Sequence, residues 1–76
     1  MKLSATIITY NEERNIKACL ESLSFVDEIV VVDSGSTDNT KAICSSFPLV
    51  RFYHQTWLGF GRQINAAIAL ATGDWI

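Results

Sequence analysis

Charged residues are scarce in this chain. Only 18% of its 76 residues are Asp, Glu, Lys or Arg, whereas 49% are hydrophobic. A free-standing domain of this size usually carries more charge, because a small domain hides a smaller fraction of its surface. The composition therefore predicts one small domain with apolar surface that packs against further protein.

Several other absences exclude classes of function. Six basic residues against eight acidic ones give a net charge of -2, and without a basic stripe no nucleic-acid partner is expected. The only cysteines, Cys19 and Cys44, lack the spacing and partners of a disulfide or metal site. Both are predicted to be buried free thiols, as in a reducing cytosol. No secretory h-region occurs, and no segment approaches the roughly 18 apolar residues of a membrane-spanning helix.

Short apolar runs alternate with helical spacing along the chain. The runs predict four strands, the last of them only begun: Leu3 to Thr9, Glu28 to Asp33, Leu49 to Gln55, and Asp74 to Ile76. Apolar residues three and four positions apart predict three helices: about Glu12 to Ser22, about Asp38 to Ser46, and one through Ile64 to Ala71. Asn11 is the expected N-cap of the first helix. Gly73 is expected to end the third helix in a left-handed cap.

This alternation of strands and helices predicts a parallel sheet with right-handed crossovers. The fold class is therefore α/β, a Rossmann-like three-layer α/β/α sandwich with helices on both faces of the sheet. Ligands of such sheets bind beyond the carboxyl ends of the strands. Functional residues are expected in three loops at that edge: Thr9 to Glu12, Asp33 to Thr37, and Gln55 to Arg62.

Three residues in these loops are candidates for nucleotide recognition. No glycine fingerprint follows the first strand, so a phosphate-cradling loop is not expected there. Tyr10 either stacks on a base or packs at the rim. Asp33 either accepts hydrogen bonds from ribose hydroxyls or the uracil N3–H, or holds a turn. Arg62 either binds a diphosphate or is a solvated surface residue.

Three further residues attract attention by type. Asp38 is interpreted as a charge that complements a helix dipole. His54 has no nucleophile or carboxylate pattern around it and is assigned a structural role. Trp57 either lines a sugar or acceptor site or covers the core.

Successive segments of the chain resemble three motifs of the family 2 glycosyltransferases, which have the GT-A fold. The segments are Ile7 to Glu12, Val31 to Asp38, and Gly59 to Asn65 followed by Ala71 to Ile76. They stand in the family's order and at its separations, and the resemblance covers essentially the whole chain. The second segment and Trp57 to Asn65 look most like the bacterial branch that includes lipopolysaccharide core glucosyltransferases.

The resemblance implies a role for five residues at the nucleotide. Tyr10 matches the aromatic that meets the uracil, and Glu12 matches an acid near the nucleotide. Asp33 matches the first aspartate of the family's usual Asp-Asp-Gly-Ser sequence, and Ser34 replaces the second. The base contact therefore comes from Asp33, Ser34 or a backbone group. Arg62 lies where relatives place a basic residue that faces the diphosphate.

The resemblance also implies parts that these residues lack. The family's Asp-x-Asp motif, which binds a divalent metal such as Mn or Mg, follows the strand begun at Asp74, and the general base follows later. The 76 residues contain neither, so no catalytic or metal-binding residue is assigned. Residues 1–76 are expected to be the N-terminal nucleotide-sugar-binding half of a GT-A domain, truncated after the third βα unit and inactive alone.

For the whole enzyme, the resemblance implies inverting transfer from a nucleotide sugar, UDP-glucose or another UDP-hexose. The acceptor would be a glycan or a lipid-linked glycan of the lipopolysaccharide or cell envelope. The expected location is the cytoplasm, with the inner face of the bacterial inner membrane as a candidate. The alternatives are a non-catalytic nucleotide-binding module and a structural α/β interaction domain. The open edge of the first strand predicts that the fragment self-associates.

Overall fold

The computed structural model describes residues 2–73. Three strands alternate with three helices over that range. The strands are β1 (Ser4–Thr9), β2 (Glu28–Asp33) and β3 (Val50–His54), and the helices are α1 (Ile16–Ser22), α2 (Thr40–Ser45) and α3 (Phe60–Leu70). The predicted α/β alternation is confirmed, while the fourth strand predicted from Asp74 lies outside the described residues.

The sheet is parallel, with β2 between β1 and β3. Val30, Val31 and Val32 of β2 have no exposed surface. Branched side chains suit this position because both faces of a central parallel strand are covered. The register aligns Thr9 with Asp33 and Asp33 with His54, so the carboxyl ends of the three strands meet at one edge.

Helices cover both faces of the sheet, which confirms the three-layer arrangement. Successive side chains of β2 alternate between the two faces, as strand geometry requires. The core on the α1 and α2 side is formed by Ile16, Leu20, Val26, Ile29, Val31 and Cys44. The smaller core under α3 is formed by Val30, Val32 and Ala67. None of the helices within residues 2–73 is long and apolar enough to cross a membrane.

The two cysteines differ in environment. Cys44 is buried, and burial raises the pKa of its thiol to about 11, with a smaller contribution from the charge of Asp33. Cys19 is exposed, so the prediction of two buried thiols is wrong for this residue. The buried side of α1 is carried by Ile16 and Leu20, four residues apart, and Cys19 lies off that stripe.

Two predicted helix caps are also wrong. Helix α1 begins at Ile16 rather than Glu12, and its N-cap position is Asn15, whose side chain makes no capping bond. Asn11 instead has a φ of 51°, in the left-handed region that asparagine tolerates. Gly73 is not a left-handed cap: α3 ends at Leu70, and the chain leaves it in an extended conformation.

Glu28, the first residue of β2, binds the extended segment after α3 at the amino-terminal ends of the strands. The Oε1 atom accepts hydrogen bonds from the Thr72 backbone N–H at 2.6 Å and from Ser4 Oγ at 2.7 Å. The Oε2 atom accepts from Thr72 Oγ1 at 3.0 Å and from Arg51 Nη1 at 3.2 Å. These donors, with the Thr72 N–H foremost, lower the pKa of Glu28 to about 2. The buried carboxylate therefore stays charged because it is fully hydrogen-bonded.

Gly73 follows this anchor and lies against β1. Its N–H donates to Ser4 Oγ at 2.9 Å, and a Cβ at this position would collide with the same oxygen. Glycine is required here by the close approach of two chain segments, not by a left-handed φ.

Candidate functional site

The loops after β1 and β2 are joined by hydrogen bonds centred on Asn11. The Asn11 N–H donates to Ser36 Oγ at 2.8 Å, and Asn11 Oδ1 accepts from the Thr37 N–H at 2.8 Å. The left-handed backbone of Asn11 allows both groups to face the second loop. The two loops therefore behave as one structural unit beyond the sheet edge.

A second junction lies at the start of α2. Asp38 Oδ1 accepts from the N–H and the hydroxyl of Thr40, and Thr40 Oγ1 in turn accepts from the Glu12 N–H at 2.9 Å. Burial alone would raise the pKa of Asp38, but the hydrogen bonds from Thr40 outweigh it and lower the pKa. Helix α2 begins at Thr40, so the predicted placement of Asp38 in its first turn is wrong: Asp38 precedes the helix and accepts from the N–H of its first residue.

The Asp33 carboxylate is occupied by its own turn. Its Oδ1 accepts from the hydroxyls of Thr9 and Ser36, and its Oδ2 accepts from the N–H groups of Gly35 at 2.9 Å and Ser36 at 2.7 Å. Burial acts to raise the pKa of Asp33, but the bonds from Ser36 and Thr9 lower it overall. Both oxygens have two donors each, and the residue is 3% exposed. Of the two roles open from the sequence, the structure shows the turn role.

A cleft of about 410 Å³ lies beyond the carboxyl ends of β1 and β2. Its lining comes from all three loops predicted to carry function: Ile8, Thr9, Tyr10, Glu12, Ser34, Trp57 and Phe60. This volume is within the usual range for small-molecule sites, which combine apolar and aromatic walls with a few polar groups.

Three of the five predicted site residues meet in this cleft. Tyr10, Glu12 and Ser34 line it, and the Tyr10 side chain is 57% exposed. Asp33 lies behind it in the turn. Arg62 lies on the exposed surface of α3, where it forms no hydrogen bond or ion pair with residues 2–73.

An aromatic pair completes the cleft. The rings of Trp57 and Phe60 meet edge to face with centroids 5.0 Å apart, and both remain open to solvent. Trp57 therefore lines the cleft, while its role at a sugar or acceptor stays a prediction. Phe60 was not predicted, although an aromatic on each side of Gly59 is a signal that could have indicated it. His54, at the end of β3, is exposed and does not line the cleft.

The lining favours a neutral, flat ligand group over an anionic one. Among the described residues, Glu12 is the single charged member of the lining, and no basic side chain contributes. Aromatic faces stack on bases or sugars, and a carboxylate accepts hydrogen bonds from hydroxyl groups. Across residues 2–73, no three His, Cys, Asp or Glu side chains are grouped so that they could hold a metal ion. These residues therefore do not fit a metal site.

Residues 4–76 match the model of the glycosyl transferase family 2. The chain belongs to this family. The predicted family is thereby confirmed.

Curated glycosyltransferases resemble the chain along nearly its whole length. The lipopolysaccharide core biosynthesis glycosyltransferase LpsC of Rhizobium meliloti is 41% identical in an alignment 80 positions long, which covers 99% of this chain and 29% of that protein. An uncharacterized glycosyltransferase of Rickettsia felis is 42% identical over 99% of this chain and 26% of its own length. The SPbeta prophage-derived glycosyltransferase SunS of Bacillus subtilis is 40% identical over 97% of this chain and 18% of its own. The chain thus spans less than a third of these relatives.

A solved structure confirms the GT-A fold. Glucosyl-3-phosphoglycerate synthase from Mycobacterium tuberculosis superimposes with a TM-score of 0.79 at 28% identity. The match covers 96% of this family 2 chain and 30% of the synthase. That crystal structure contains Mn²⁺, UDP and glucosyl-3-phosphoglycerate.

Proposed function

We propose that this chain recognises the uridine part of a UDP-linked hexose for an inverting glycosyltransferase. The observation that carries the proposal is the aromatic cleft beyond β1 and β2, whose lining within residues 2–73 has hydrogen-bonding groups but no basic residue. The UDP bound to the structurally similar synthase supports the choice of nucleotide.

The uracil ring is placed against Tyr10. The exposed ring of Tyr10 offers a flat face at the end of β1, and base–aromatic stacking contributes roughly 1–3 kcal/mol. Glu12, in the same lining, accepts hydrogen bonds from the ribose hydroxyls. Both contacts serve a nucleoside whether or not phosphate is present.

The base edge is assigned to Ser34. The Ser34 hydroxyl donates to the Thr9 carbonyl at 3.3 Å, which leaves its oxygen free to accept. Uracil presents a donor, N3–H, at the position where cytosine presents an acceptor. Ser34 therefore selects uracil over cytosine, while Asp33 serves the base indirectly by holding the turn that carries Ser34.

Groups outside the cleft lining serve the diphosphate. Arg62, two positions after Phe60, forms no hydrogen bond or ion pair with residues 2–73, and it is the proposed diphosphate contact. A divalent metal, Mn²⁺ or Mg²⁺, would offset the remaining charge of the leaving group. Since residues 2–73 group no ligands for it, the 76-residue chain should transfer no hexose from UDP-glucose even with manganese present.

The likeness to LpsC supports an acceptor in lipopolysaccharide or another cell-envelope glycan, free or lipid-linked. The proposed location is the cytoplasm, at the inner face of the bacterial inner membrane. Residues 1–76 would supply the donor side of the whole enzyme.

NMR titration of the ¹⁵N-labelled chain with UMP, CMP and N3-methyl-UMP tests the proposed recognition. UMP should shift the amides of Tyr10, Glu12 and Ser34 and bind roughly fivefold more tightly than the other two, the value of about one hydrogen bond. N3-methyl-UMP is the matched control because it keeps the ring and replaces the N3–H donor by a methyl group. Equal shifts from all three nucleotides, or shifts away from the cleft, would contradict the proposal.

A further inference from the structure

A buried amide lies behind the loop that carries Trp57. Gln63 of α3 is 1% exposed. Its Nε2 donates to the Gln55 carbonyl at 3.0 Å, and its Oε1 accepts from the Leu58 N–H at 3.2 Å. The two bonds hold the loop on both sides of Trp57.

Gln63 connects this loop to the sheet through helix α3. Ala67, four residues later on the same side of α3, is fully buried against Val30 and Val32. The amide is thus fixed by the packing of its own helix, and its two partners are backbone groups of the loop. Burying a side-chain amide costs free energy unless its groups are bonded, so the loop conformation and the Gln63 bonds depend on each other.

Trp57 has little else to hold it. Its ring contacts Phe60 edge to face, and its indole forms no hydrogen bond with residues 2–73. Gly59, which follows the loop, has a φ of 96° and open space around its α-carbon. Gly59 gives the junction with α3 conformational freedom that the Gln63 bonds restrict.

We propose that Gln63 is a positioning residue, which holds Trp57 in the wall of the cleft so that the indole is in place before a nucleoside binds. An indole ordered in advance gives tighter binding, because the ligand does not have to immobilise it. The ligand in this inference rests on the proposed function, whereas the control of Trp57 by Gln63 does not.

The test uses ¹⁹F NMR of the chain labelled with 5-fluorotryptophan. The two tryptophans give two resonances, and Trp57→Phe identifies that of Trp57. Gln63→Met removes both amide bonds at similar length and volume, and Gln63→Glu keeps an acceptor for the Leu58 N–H. Gln55→Met is the matched control, because it removes an exposed amide and leaves the Gln55 carbonyl that Gln63 binds. Amide exchange at Val30 to Val32 shows that each variant is folded.

Without ligand, Gln63→Met should shift and broaden the Trp57 resonance, Gln63→Glu should do so less, and Gln55→Met should match the wild type. UDP should then bind Gln63→Met roughly tenfold more weakly, because the ligand itself then has to order the indole. A Trp57 resonance unchanged in folded Gln63→Met overturns the inference; if that variant does not fold, an unchanged resonance in Gln63→Glu does so. If the wild type does not respond to UDP while Gln63→Met moves the resonance, the positioning role stands and the proposed function fails.

Discussion

Asn11 Oδ1 accepts a hydrogen bond from the Thr37 N–H at 2.8 Å, although 26 residues separate the two along the chain. Tyr10 and Glu12 flank Asn11, and Ser34 precedes Thr37 in the other loop, so this bond fixes the spacing of the cleft walls. The relative placement of three lining residues therefore depends on a side chain that does not itself line the cleft.

Two substitutions separate the bond of Asn11 from its backbone conformation. Asn11→Gly loses the side-chain bond but keeps access to the left-handed φ, and it should cost about 1 kcal/mol in the free energy of unfolding. Asn11→Ala loses the same bond and keeps a Cβ in that region without the polar side chain that lets asparagine tolerate it, so it should be less stable than Asn11→Gly by about 1–2 kcal/mol. Urea denaturation at pH 7 measures both. Equal losses in the two variants would show that the φ of 51° carries no cost.

Tyr10 should contribute to nucleotide affinity and hardly to stability. Tyr10→Ala removes the stacking face and should weaken UMP binding by roughly 1–3 kcal/mol. Because the side chain is 57% exposed, the urea midpoint should stay within error of the wild type. Tyr10→Phe keeps the ring and is the control, which should bind UMP normally. Calorimetric titration of the three proteins would reject the stacking role if the alanine variant retained full affinity.

Asp33 and Ser34 are neighbours for which opposite behaviour is expected. Asp33→Asn replaces an oxygen that accepts two hydrogen bonds by an NH₂ group, and it should lower the free energy of unfolding by about 2–3 kcal/mol. Ser34→Ala should leave stability nearly unchanged and reduce the preference for UMP over CMP. Paired measurements of unfolding and binding decide: a stable Asp33→Asn chain that has lost UMP binding would make Asp33 a direct ligand contact.

The strands could be predicted from the sequence better than the helix ends. Four consecutive branched residues, Ile29 to Val32, fit no helical period, so β2 was predicted to the residue. The first helix was placed too early because Glu12 begins a turn. Its carbonyl accepts from the N–H groups of Asn15 and Ile16 at 2.9 and 2.8 Å, which resembles helix in sequence but precedes α1.

The candidate site could also be predicted only in part from the sequence. Tyr10, Glu12 and Ser34 follow from topology, because loops at the carboxyl edge of a parallel sheet converge. The full hydrogen bonding of the Asp33 carboxylate depends on the pairing of β1 with β2, which aligns Thr9 with Asp33. No local sequence pattern specifies that register. Gln63 gave no signal, because a polar residue on an amphipathic helix is ordinarily exposed and only the packed loop buries it.

Glu28 should make the chain sensitive to acid. Its pKa is lowered in the folded state to about 2 from an ordinary 4.5, the Thr72 N–H being the largest cause. The stabilisation is therefore complete above pH 4.5 and is lost as the pH falls from 4.5 towards 2. After allowance for solvent screening, about 1–2 kcal/mol should disappear in this interval.

Glu28→Gln is the control for that dependence. It should be less stable than the wild type at pH 7 and show a flatter decline between pH 4.5 and 2. Thermal unfolding followed by circular dichroism at half-unit steps of pH provides the comparison. Parallel stability curves for the two proteins would assign the acid sensitivity to other carboxylates.

The free edge of β1 should pair with a second copy of this chain. Within residues 2–73, β1 bonds to β2 on one side, and Ala5 to Ile8 are half-buried rather than charged. Such an edge invites strand pairing. Sedimentation equilibrium should show association at micromolar concentration, and Thr6→Lys, which adds charge to the strand, should reduce it. A wild-type monomer with strongly protected Ile7 and Ile8 amides would show that the edge is satisfied within the chain.

The bond between Glu28 and Thr72 also sets an order of events during synthesis. The partners lie 44 residues apart, and at 5–20 residues per second the ribosome takes roughly 2–9 s to make the chain between them. From the synthesis of Asp33 onwards the nascent chain contains β1 and β2, but the carboxylate has not received the donors of Thr72. Translation of the segment after α3 is therefore the earliest moment at which the edge of the sheet can close around Glu28.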